Sequence, residues 1–314
     1  MNLDSNEEKS DIKFKNLMFY ILIIIMIMFG ISNSFMMYGA FVFSAVMLFL
    51  LKDTNLRLQM MLFLLPFSMV FVKERVNGFP FYFLLMCEFT LLTYSTERVK
   101  KYKYLGITCF LLVFDILLVS IAHSALSIRA MYMVVGIVMI SGIVESNTKI
   151  SIENCATFYA LGIILAAVIA KFADFIPNLS NYIVSNHGSL GTTRFCGLYG
   201  NPNYYTYDIS IAICMVLYLM SKSDKVSVFY ILLVVLLIFV GVLSISMSFV
   251  LATIFTVVLY LFFAGKGAKS QRSKILICVG FFIAFYFLNQ NESVSTVVER
   301  FMNLDFSLGM MGDT

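Results

Sequence analysis

Residues 193–220 read TRFCGLYGNPNYYTYDISIAICMVLYLM, a polar segment that leads directly into an apolar run. Asparagine side chains accept a hydrogen bond from an early helical N–H, and proline suits the first helical position. Asn201 and Pro202 therefore predict the start of a helix that runs through Tyr218. The N-terminus of a helix carries unpaired N–H groups and the positive end of the helix dipole. Since Arg194 lies just upstream, the stretch predicts an anion-binding site, with phosphate as the first anion to consider.

The composition sets the class of the protein. Of the 314 residues, 61% are hydrophobic and 13% are charged, and the mean hydropathy is +0.91. Soluble proteins contain about 25% charged residues, so these values predict an all-α polytopic membrane protein that contacts the lipid bilayer. The net charge of +4 does not indicate nucleic-acid binding, because the basic residues lie in short loops between apolar runs.

Eleven apolar runs approach the roughly 17–25 residues that a membrane helix needs. They predict a cytoplasmic tail over residues 1–15, one transmembrane domain over 16–289 with an outer loop over 172–202, and an extracytoplasmic tail over 290–314. The join at Ser244–Ser246 predicts either a tight hairpin or one broken pair. The runs cover roughly residues 16–31, 34–51, 58–72, 79–94, 104–122, 130–144, 155–171, 203–220, 228–244, 246–264 and 275–289.

The distribution of basic residues predicts the orientation, because cytoplasmic loops carry an excess of lysine and arginine. With the N-terminus inside and the C-terminus outside, most of the 22 basic residues lie in the cytoplasm. The exceptions on the outer side are Lys73, Arg75, Arg129, Lys171, Arg194 and Arg300. Lys171 and Arg129 lie at the ends of spans, where extension toward lipid headgroups is the ordinary explanation. With Arg194 and Arg300 they would also form a positively charged cluster that favours an anionic ligand.

The segment around Arg194 contains further candidate binding residues. Gly197 and Gly200 would let the backbone turn closely, whereas an isolated loop arginine would simply be solvated. Asn201 and Asn203 are expected to form caps and turns, and Asn203 would also be able to direct its amide toward a ligand. The tyrosines that follow predict an interfacial aromatic belt or a surface on which a sugar ring stacks; they are Tyr204, Tyr205 and Tyr207.

Carboxylates and a histidine are candidates for proton transfer. Glu88, Asp115 and Asp208 lie within apolar runs, where carboxylates normally face the bundle interior or a water-filled cavity. Neutral carboxyls bonded to a neighbouring helix and a transporter-like proton relay are both open interpretations. His187 lies in the same loop as Arg194 and is a candidate general base. Neither this histidine nor the cysteines show metal-ligand spacing, so no metal and no cofactor are predicted.

Cysteine placement makes one further prediction. Cys196 alone falls in a polar loop, and the other five cysteines lie in apolar runs. A membrane-impermeant thiol reagent is therefore expected to label Cys196 in intact cells.

The segment Arg194–Asn203 resembles the signature of the bacterial O-antigen ligase and O-antigen polymerase family, an R-x-x-G-x-x-x-N-P-N-like motif that opens a transmembrane helix. A second similarity lies at residues 243–252, LSISMSFVLA. There Ser246 matches a Ser-Arg-Gly-type segment of the family, and Met247 replaces its basic residue. The resemblance covers residues 155–314. Relatives continue into a large outer loop where this chain ends, so a reduced or C-terminally truncated member is expected.

The resemblance implies a GT-C-like helical bundle with inverting glycosyltransferase activity on the outer face of the cytoplasmic membrane. The implied donor is a glycan on undecaprenyl diphosphate, and the acceptor is another lipid-linked repeat, lipid A core or a wall component. Arg194 matches the family arginine that binds the diphosphate. A polymerase is favoured over a ligase, because no ligase-like histidine of the family's large outer loop is present; truncation would explain that absence equally well. The implied protein partners are chain-length regulator and flippase proteins.

The candidate residues take two roles in this interpretation. The candidate catalytic residues are Arg194, Asp208 and His187, and the candidate substrate-binding residues are Arg194, Gly197, Asn201, Asn203, Tyr204, Lys171, Arg129 and Arg300. Two alternatives stay open. One is a transporter or flippase of lipid-linked saccharide, although no repeat symmetry of the kind found in transporters is visible. The other is a non-catalytic membrane scaffold.

Overall fold

The computed structural model confirms the all-α class. It describes residues 4–31, 33–68, 70, 75–76, 79–96, 107, 110–116, 118, 128–145, 150–175, 179, 186–187, 193–199, 201–222, 228–244, 246–263, 274–275 and 277–279. These residues include nine α-helices whose bounds are described: α1 (Asp4–Gly30), α2 (Ser34–Leu50), α3 (Thr54–Leu64), α4 (Phe81–Thr96), α5 (Ile128–Glu145), α6 (Ile152–Lys171), α7 (Pro202–Lys222), α8 (Val228–Val242) and α9 (Met247–Phe263).

Two short antiparallel ribbons are the strand structure within those ranges. One pairs β1 (Arg75–Val76) with β2 (Phe79–Pro80). The other pairs β3 (Asn186–His187) with β4 (Thr193–Arg194). The second ribbon lies within the predicted outer loop and contains two of the candidate catalytic residues.

Helix boundaries follow the predicted apolar runs, with differences that have local causes. Helix α1 begins at Asp4, so most of the predicted tail is helical. Residues 4–15 contain neither glycine nor proline, which favours a helix. Acidic residues also lie near the positive end of the helix dipole, where they are stabilising. Helix α3 ends at Leu64 and continues as a 3-10 turn over Leu65–Phe67, since Pro66 lacks the N–H of an α-helical bond. Runs 104–122 and 275–289 lie largely outside the described residues.

The helices are apolar on their exposed surfaces. By length and composition, α6 and α7, with 20 and 21 residues, can each cross a membrane, and several of the other described helices are apolar but shorter. Large side chains remain uncovered on them, for example Phe35 at 81% and Phe262 at 80% exposure. Such surfaces are typical of helices that contact lipid. The count of eleven spans and their orientation stay predictions.

The chain divides into two compact units. The first comprises residues 1–162 and 172–182, and the second comprises residues 163–171 and 183–314. In the first unit, α1 packs against α2 and α3, while α4 packs against α2, α3 and α5. The ring of Tyr20 lies 5.5 Å from that of Phe63 and 5.4 Å from that of Phe158. Gly162 faces the carbonyl of Phe63, where a Cβ atom would collide.

Several polar side chains of helix α3 are buried in the first unit. Asp53 caps it, with its carboxylate accepting from the N–H of Asn55 at 3.0 Å. The amide oxygen of Asn55 accepts from the N–H of Ser151 at 2.9 Å. Arg57 is 1% exposed, and its Nε donates to the carbonyl of Leu48 at 3.1 Å. The Asn55 oxygen and the Arg57 Nε are therefore satisfied by the protein itself, whereas the buried amide nitrogen of Gln59 on the same helix has no hydrogen-bond partner among the described residues.

In the second unit, α7 packs against both α8 and α9, and α8 contacts α9. The hydroxyl of Ser244 donates to the carbonyl of Gly241 at 2.7 Å. The ring of Phe249 lies so close to Gly241 that a Cβ atom at this position would collide with it. The join at Ser244–Ser246 is therefore a turn between two separate helices that contact each other.

Candidate functional site

The start of α7 has the predicted geometry. The helix begins at Pro202 and runs to Lys222, beyond the predicted Tyr218. The side-chain oxygen of Asn201 accepts from the N–H of Asn203 at 2.8 Å. The N-cap role of Asn201 and the first-turn role of Pro202 are therefore confirmed.

This cap changes how the helix would contribute to an anion site. The N–H of Asn203 already bonds to the Asn201 side chain, and the N–H of Tyr205 bonds to the Asn201 carbonyl at 3.2 Å. Pro202 has no N–H to offer. These groups are not free for a ligand, so the helix would act on an anion mainly through its dipole, with Arg194 as the candidate source of formal charge.

The segment before α7 makes a turn that requires glycine. Gly197 has a φ of +57°, a left-handed conformation that side chains disfavour. A Cβ atom at Gly197 would also lie 2.8 Å from the ring of Tyr205. The turn is closed by the N–H of Tyr199, which donates to the carbonyl of Cys196 at 3.1 Å. The predicted close turn is confirmed at Gly197, whereas Gly200 lies outside the described residues.

Tyr205 lies beneath this turn. Its side chain is 1% exposed, and its ring lies 5.6 Å from that of Phe195 and 5.7 Å from that of Tyr199. Its hydroxyl donates to the carbonyl of Val240 at 3.2 Å. The prediction that grouped Tyr205 with an exposed aromatic belt is wrong, because its direction from α7 points into the packing against α8.

Cys196 is also buried, with 1% exposure. The polar sequence around it predicted an accessible thiol, and that prediction is wrong. The turn folds Cys196 inward while the neighbouring glycine lets the backbone cross over Tyr205. An impermeant thiol reagent is therefore not expected to reach Cys196 in the folded protein.

The opposite side of the first turns of α7 is uncovered. Tyr204 is 63% exposed and Tyr207 is 59% exposed, and Asn203 is exposed as well. Asp208 is half-buried and follows Tyr204 by four residues, so the two lie on the same side of the helix. The candidate residues Asn203, Tyr204 and Asp208 thus all lie at the N-terminal end of α7, on sides of the helix that are at least partly exposed.

The ribbon in the second unit relates the backbones of Arg194 and His187. Arg194 lies opposite Asn186, and His187 lies opposite Thr193. The two candidate residues are therefore one register step apart on neighbouring strands. Their sequence positions alone did not predict this pairing, and their catalytic roles stay predictions.

The other basic candidates are distributed along the chain. Lys171 is exposed and is the last residue of α6, within the second unit. Arg129 is the second residue of α5 and belongs to the first unit. Arg300 and the predicted tail over residues 290–314 lie outside the described residues. Their clustering with Arg194 stays a prediction.

The remaining carboxylates occupy different environments. Glu88 is half-buried on α4. Asp115 is exposed, in a helical stretch where Phe110 and Leu111 are also exposed. The expected interior position is therefore not found for Asp115. Within the described ranges, no group of three or more His, Cys, Asp or Glu residues is arranged to hold a metal ion.

The sequence misplaced two further residues besides Cys196 and Asp115. It placed Arg57 among the cytoplasmic loop charges, yet this side chain is buried. The flanking residues Leu56 and Leu58 gave no signal of this burial, because neighbours in sequence do not share a face of a helix. It also gave no separate role to Tyr205, which differs from Tyr204 and Tyr207 only in its direction around the helix.

Comparisons of the chain with protein-family models, with curated proteins and with solved structures give no match. The resemblance to the O-antigen ligase and polymerase family therefore stays a prediction that rests on residues 194–203 and 243–252.

Proposed function

We propose that this protein is a membrane-embedded glycosyltransferase that polymerises or transfers undecaprenyl-diphosphate-linked oligosaccharide repeats on the outer face of the cytoplasmic membrane. Polymerisation is the favoured reaction. The observation that carries the proposal is the turn before α7. In this turn Gly197 adopts a φ of +57°, and Asn201 then caps the helix. This turn connects Arg194 to the positive end of a long apolar helix.

The membrane part of the proposal has eleven spans in a GT-C-like bundle, with the N-terminus inside and the C-terminus outside. The apolar exposed surfaces of the described helices support a lipid environment. The orientation rests on the distribution of lysine and arginine. It places the N-terminus of α7 at the outer face, where lipid-linked repeats are assembled.

The proposed reaction is an inverting substitution at the anomeric carbon of the donor sugar. The acceptor hydroxyl oxygen forms a bond to this carbon while the bond to the undecaprenyl diphosphate oxygen breaks. The diphosphate leaves with the bonding electron pair, so negative charge increases on it in the transition state. Arg194 would bind this group through paired N–H donors, and the dipole of α7 would add to the stabilisation.

A general base must take the proton of the acceptor hydroxyl. Asp208 is one candidate, because it lies near Tyr204 at the partly exposed N-terminal end of α7. His187 is the other candidate that the sequence offers, on the strand that pairs with the one containing Arg194. Adjacent register positions of a ribbon belong to opposite faces, so this pairing favours Asp208 over His187. Lys171, Arg129 and Arg300 would add positive charge around the lipid-linked diphosphate.

The exposed residues of α7 would contact the glycan. Tyr204 provides an uncovered ring for stacking on a sugar, and the exposed Asn203 provides an amide for its hydroxyls. The transporter alternative needs its carboxylates along one pathway, and the exposed position of Asp115 does not favour it. Chain-length regulator and flippase proteins are the expected protein partners.

The proposal is tested by turnover of a synthetic lipid-linked repeat by the full chain in proteoliposomes. Arg194→Ala should lower kcat by about 10²–10³-fold, the usual effect of removing a donor to transition-state charge. Arg194→Lys should restore little, because lysine lacks the planar fork. Lys222→Ala is the matched control, since Lys222 is a basic residue at the opposite end of α7.

Two outcomes would contradict the proposal. If the wild-type chain fails to join any lipid-linked repeat, the reaction class is wrong. If Arg194→Ala turns over at the wild-type rate, the diphosphate site is wrong.

A further inference from the structure

Two separate parts of the sequence resemble the same family, and Tyr205 lies between the first part and the helix that ends just before the second. The first is Arg194–Asn203, and the second begins at Leu243, just after the end of α8. The Tyr205 hydroxyl donates to the carbonyl of Val240 at 3.2 Å. Val240 is near the C-terminus of α8, where carbonyls have no intrahelical partner. The bond therefore satisfies a helix end as well as the buried hydroxyl.

The other side of Tyr205 supports the turn. The rings of Phe195 and Tyr199 contact it from both ends of the turn. Between them, the backbone of Gly197 approaches so closely that the ring leaves no room for a Cβ atom. The position of the whole turn therefore depends on the position of one aromatic ring.

The end of α8 is itself fixed. The ring of Phe249 on α9 packs directly on Gly241, and Ser244 closes the turn onto the Gly241 carbonyl. Phe249 is 1% exposed. Tyr205 thus joins the turn before α7 to a rigid contact between α8 and α9.

We propose that Tyr205 is a positioning residue that holds the turn Phe195–Tyr199 against the end of α8 and thereby sets the location of Arg194. Arg194 directly precedes Phe195, so a shift of that ring would move the arginine backbone. The catalytic consequence rests on the proposed function. The mechanical link between the turn and α8 does not depend on it.

The test uses Tyr205→Phe, which keeps the ring and removes the bond to Val240. The matched control is Tyr82→Phe, which removes a buried hydroxyl bond of 3.0 Å to the carbonyl of Met61 in the first unit. Both changes are made in full-length protein that retains Cys196 as its single cysteine. The alkylation rate of Cys196 by N-ethylmaleimide, measured in detergent, then reports how often the turn opens.

Tyr205→Phe should raise the alkylation rate by about 5–10-fold, the factor that corresponds to one net hydrogen bond. Tyr82→Phe should leave the rate unchanged. Equal rates in the two variants would overturn the inference.

Turnover gives a second measurement. In proteoliposomes, Tyr205→Phe should lower kcat for the lipid-linked repeat by about tenfold, as misplaced catalytic groups do, and Tyr82→Phe should retain the wild-type value. Wild-type kcat in Tyr205→Phe would overturn the positioning role. A wild-type chain without turnover would contradict the proposed function, while the alkylation rates would still decide whether Tyr205 holds the turn.

Discussion

Helices α3 and α7 begin in similar ways and use their polar residues differently. Each has an Asx side chain at its N-cap, Asp53 for α3 and Asn201 for α7. In the first unit, the polar groups that follow are buried: Arg57 is 1% exposed and donates to a backbone carbonyl. In the second unit, Tyr204 stays 63% exposed.

This difference separates residues that the fold requires from residues that the fold leaves available. A buried polar or charged group must be paired, because desolvation without a partner is costly. Arg57 and Asn55 are accounted for by such pairing within the first unit. The exposed side chains at the start of α7 are not desolvated and so do not require such pairing, whereas Gly197 and Tyr205 beneath them are tightly packed. This arrangement is expected of a binding surface held in place by a supporting layer.

Arg57→Met should have the largest effect on stability. Methionine fills much of the volume, but it leaves the Leu48 carbonyl without its donor. We expect the free energy of unfolding in detergent to fall by about 1.5–3 kcal/mol, the range for a hydrogen bond to a charged group.

The control for this change is Lys52→Met, since Lys52 is basic, nearby in sequence and exposed. Surface changes of this kind usually alter the unfolding free energy by less than about 0.5 kcal/mol. If Arg57→Met is as stable as Lys52→Met, Arg57 does not support the first unit, and the contrast between the two helices disappears.

Gly197→Ala should have the next largest effect. The φ of +57° would cost alanine about 1–2 kcal/mol, and the new Cβ atom would press on the Tyr205 ring. Denaturant unfolding and turnover should both be impaired. Gly136→Ala on α5 is the matched control, because nothing lies within 4 Å of its Cβ position, and it should be neutral or stabilising by up to about 1 kcal/mol. Equal stability of the two variants would contradict the account of the turn.

Much of the secondary structure was predictable from the sequence. The runs of apolar residues placed α2, α6, α7, α8 and α9 within a few residues of their observed bounds. The Asn-Pro pair gave the start of α7, because capping and the fixed φ of proline act locally. The need for Gly197 was likewise indicated by its place between Arg194 and the helix.

The positions of Arg57, Cys196 and Tyr205 were not predictable in the same way. Each depends on contacts with residues distant in sequence or on the direction of a side chain around a helix. Arg57 is buried because α3 lies inside the first unit, and Tyr205 is buried because α7 packs against α8. Apolar periodicity carries little information here, since the buried and the exposed sides of the described helices are both apolar.

Asn201→Ala should have the smallest effect on stability. Loss of an N-cap costs about 1 kcal/mol. Asn33→Ala is the matched control, because the Asn33 side chain accepts from the N–H of Phe35 at 3.0 Å and caps α2 in the first unit. The two variants should lose similar unfolding free energy, but only Asn201→Ala should lower turnover. A comparable loss of turnover in Asn33→Ala would show that activity follows stability alone.

The most direct measurement of the central claim is the chain length of surface glycan on a gel. Cells that lack this gene would be complemented with the wild type, Arg194→Ala or Lys222→Ala, with equal membrane levels verified for each. The account predicts absent or single-repeat glycan in the deletion and with Arg194→Ala, and a full ladder with the wild type and Lys222→Ala. A normal ladder in the deletion, or from Arg194→Ala, would contradict it.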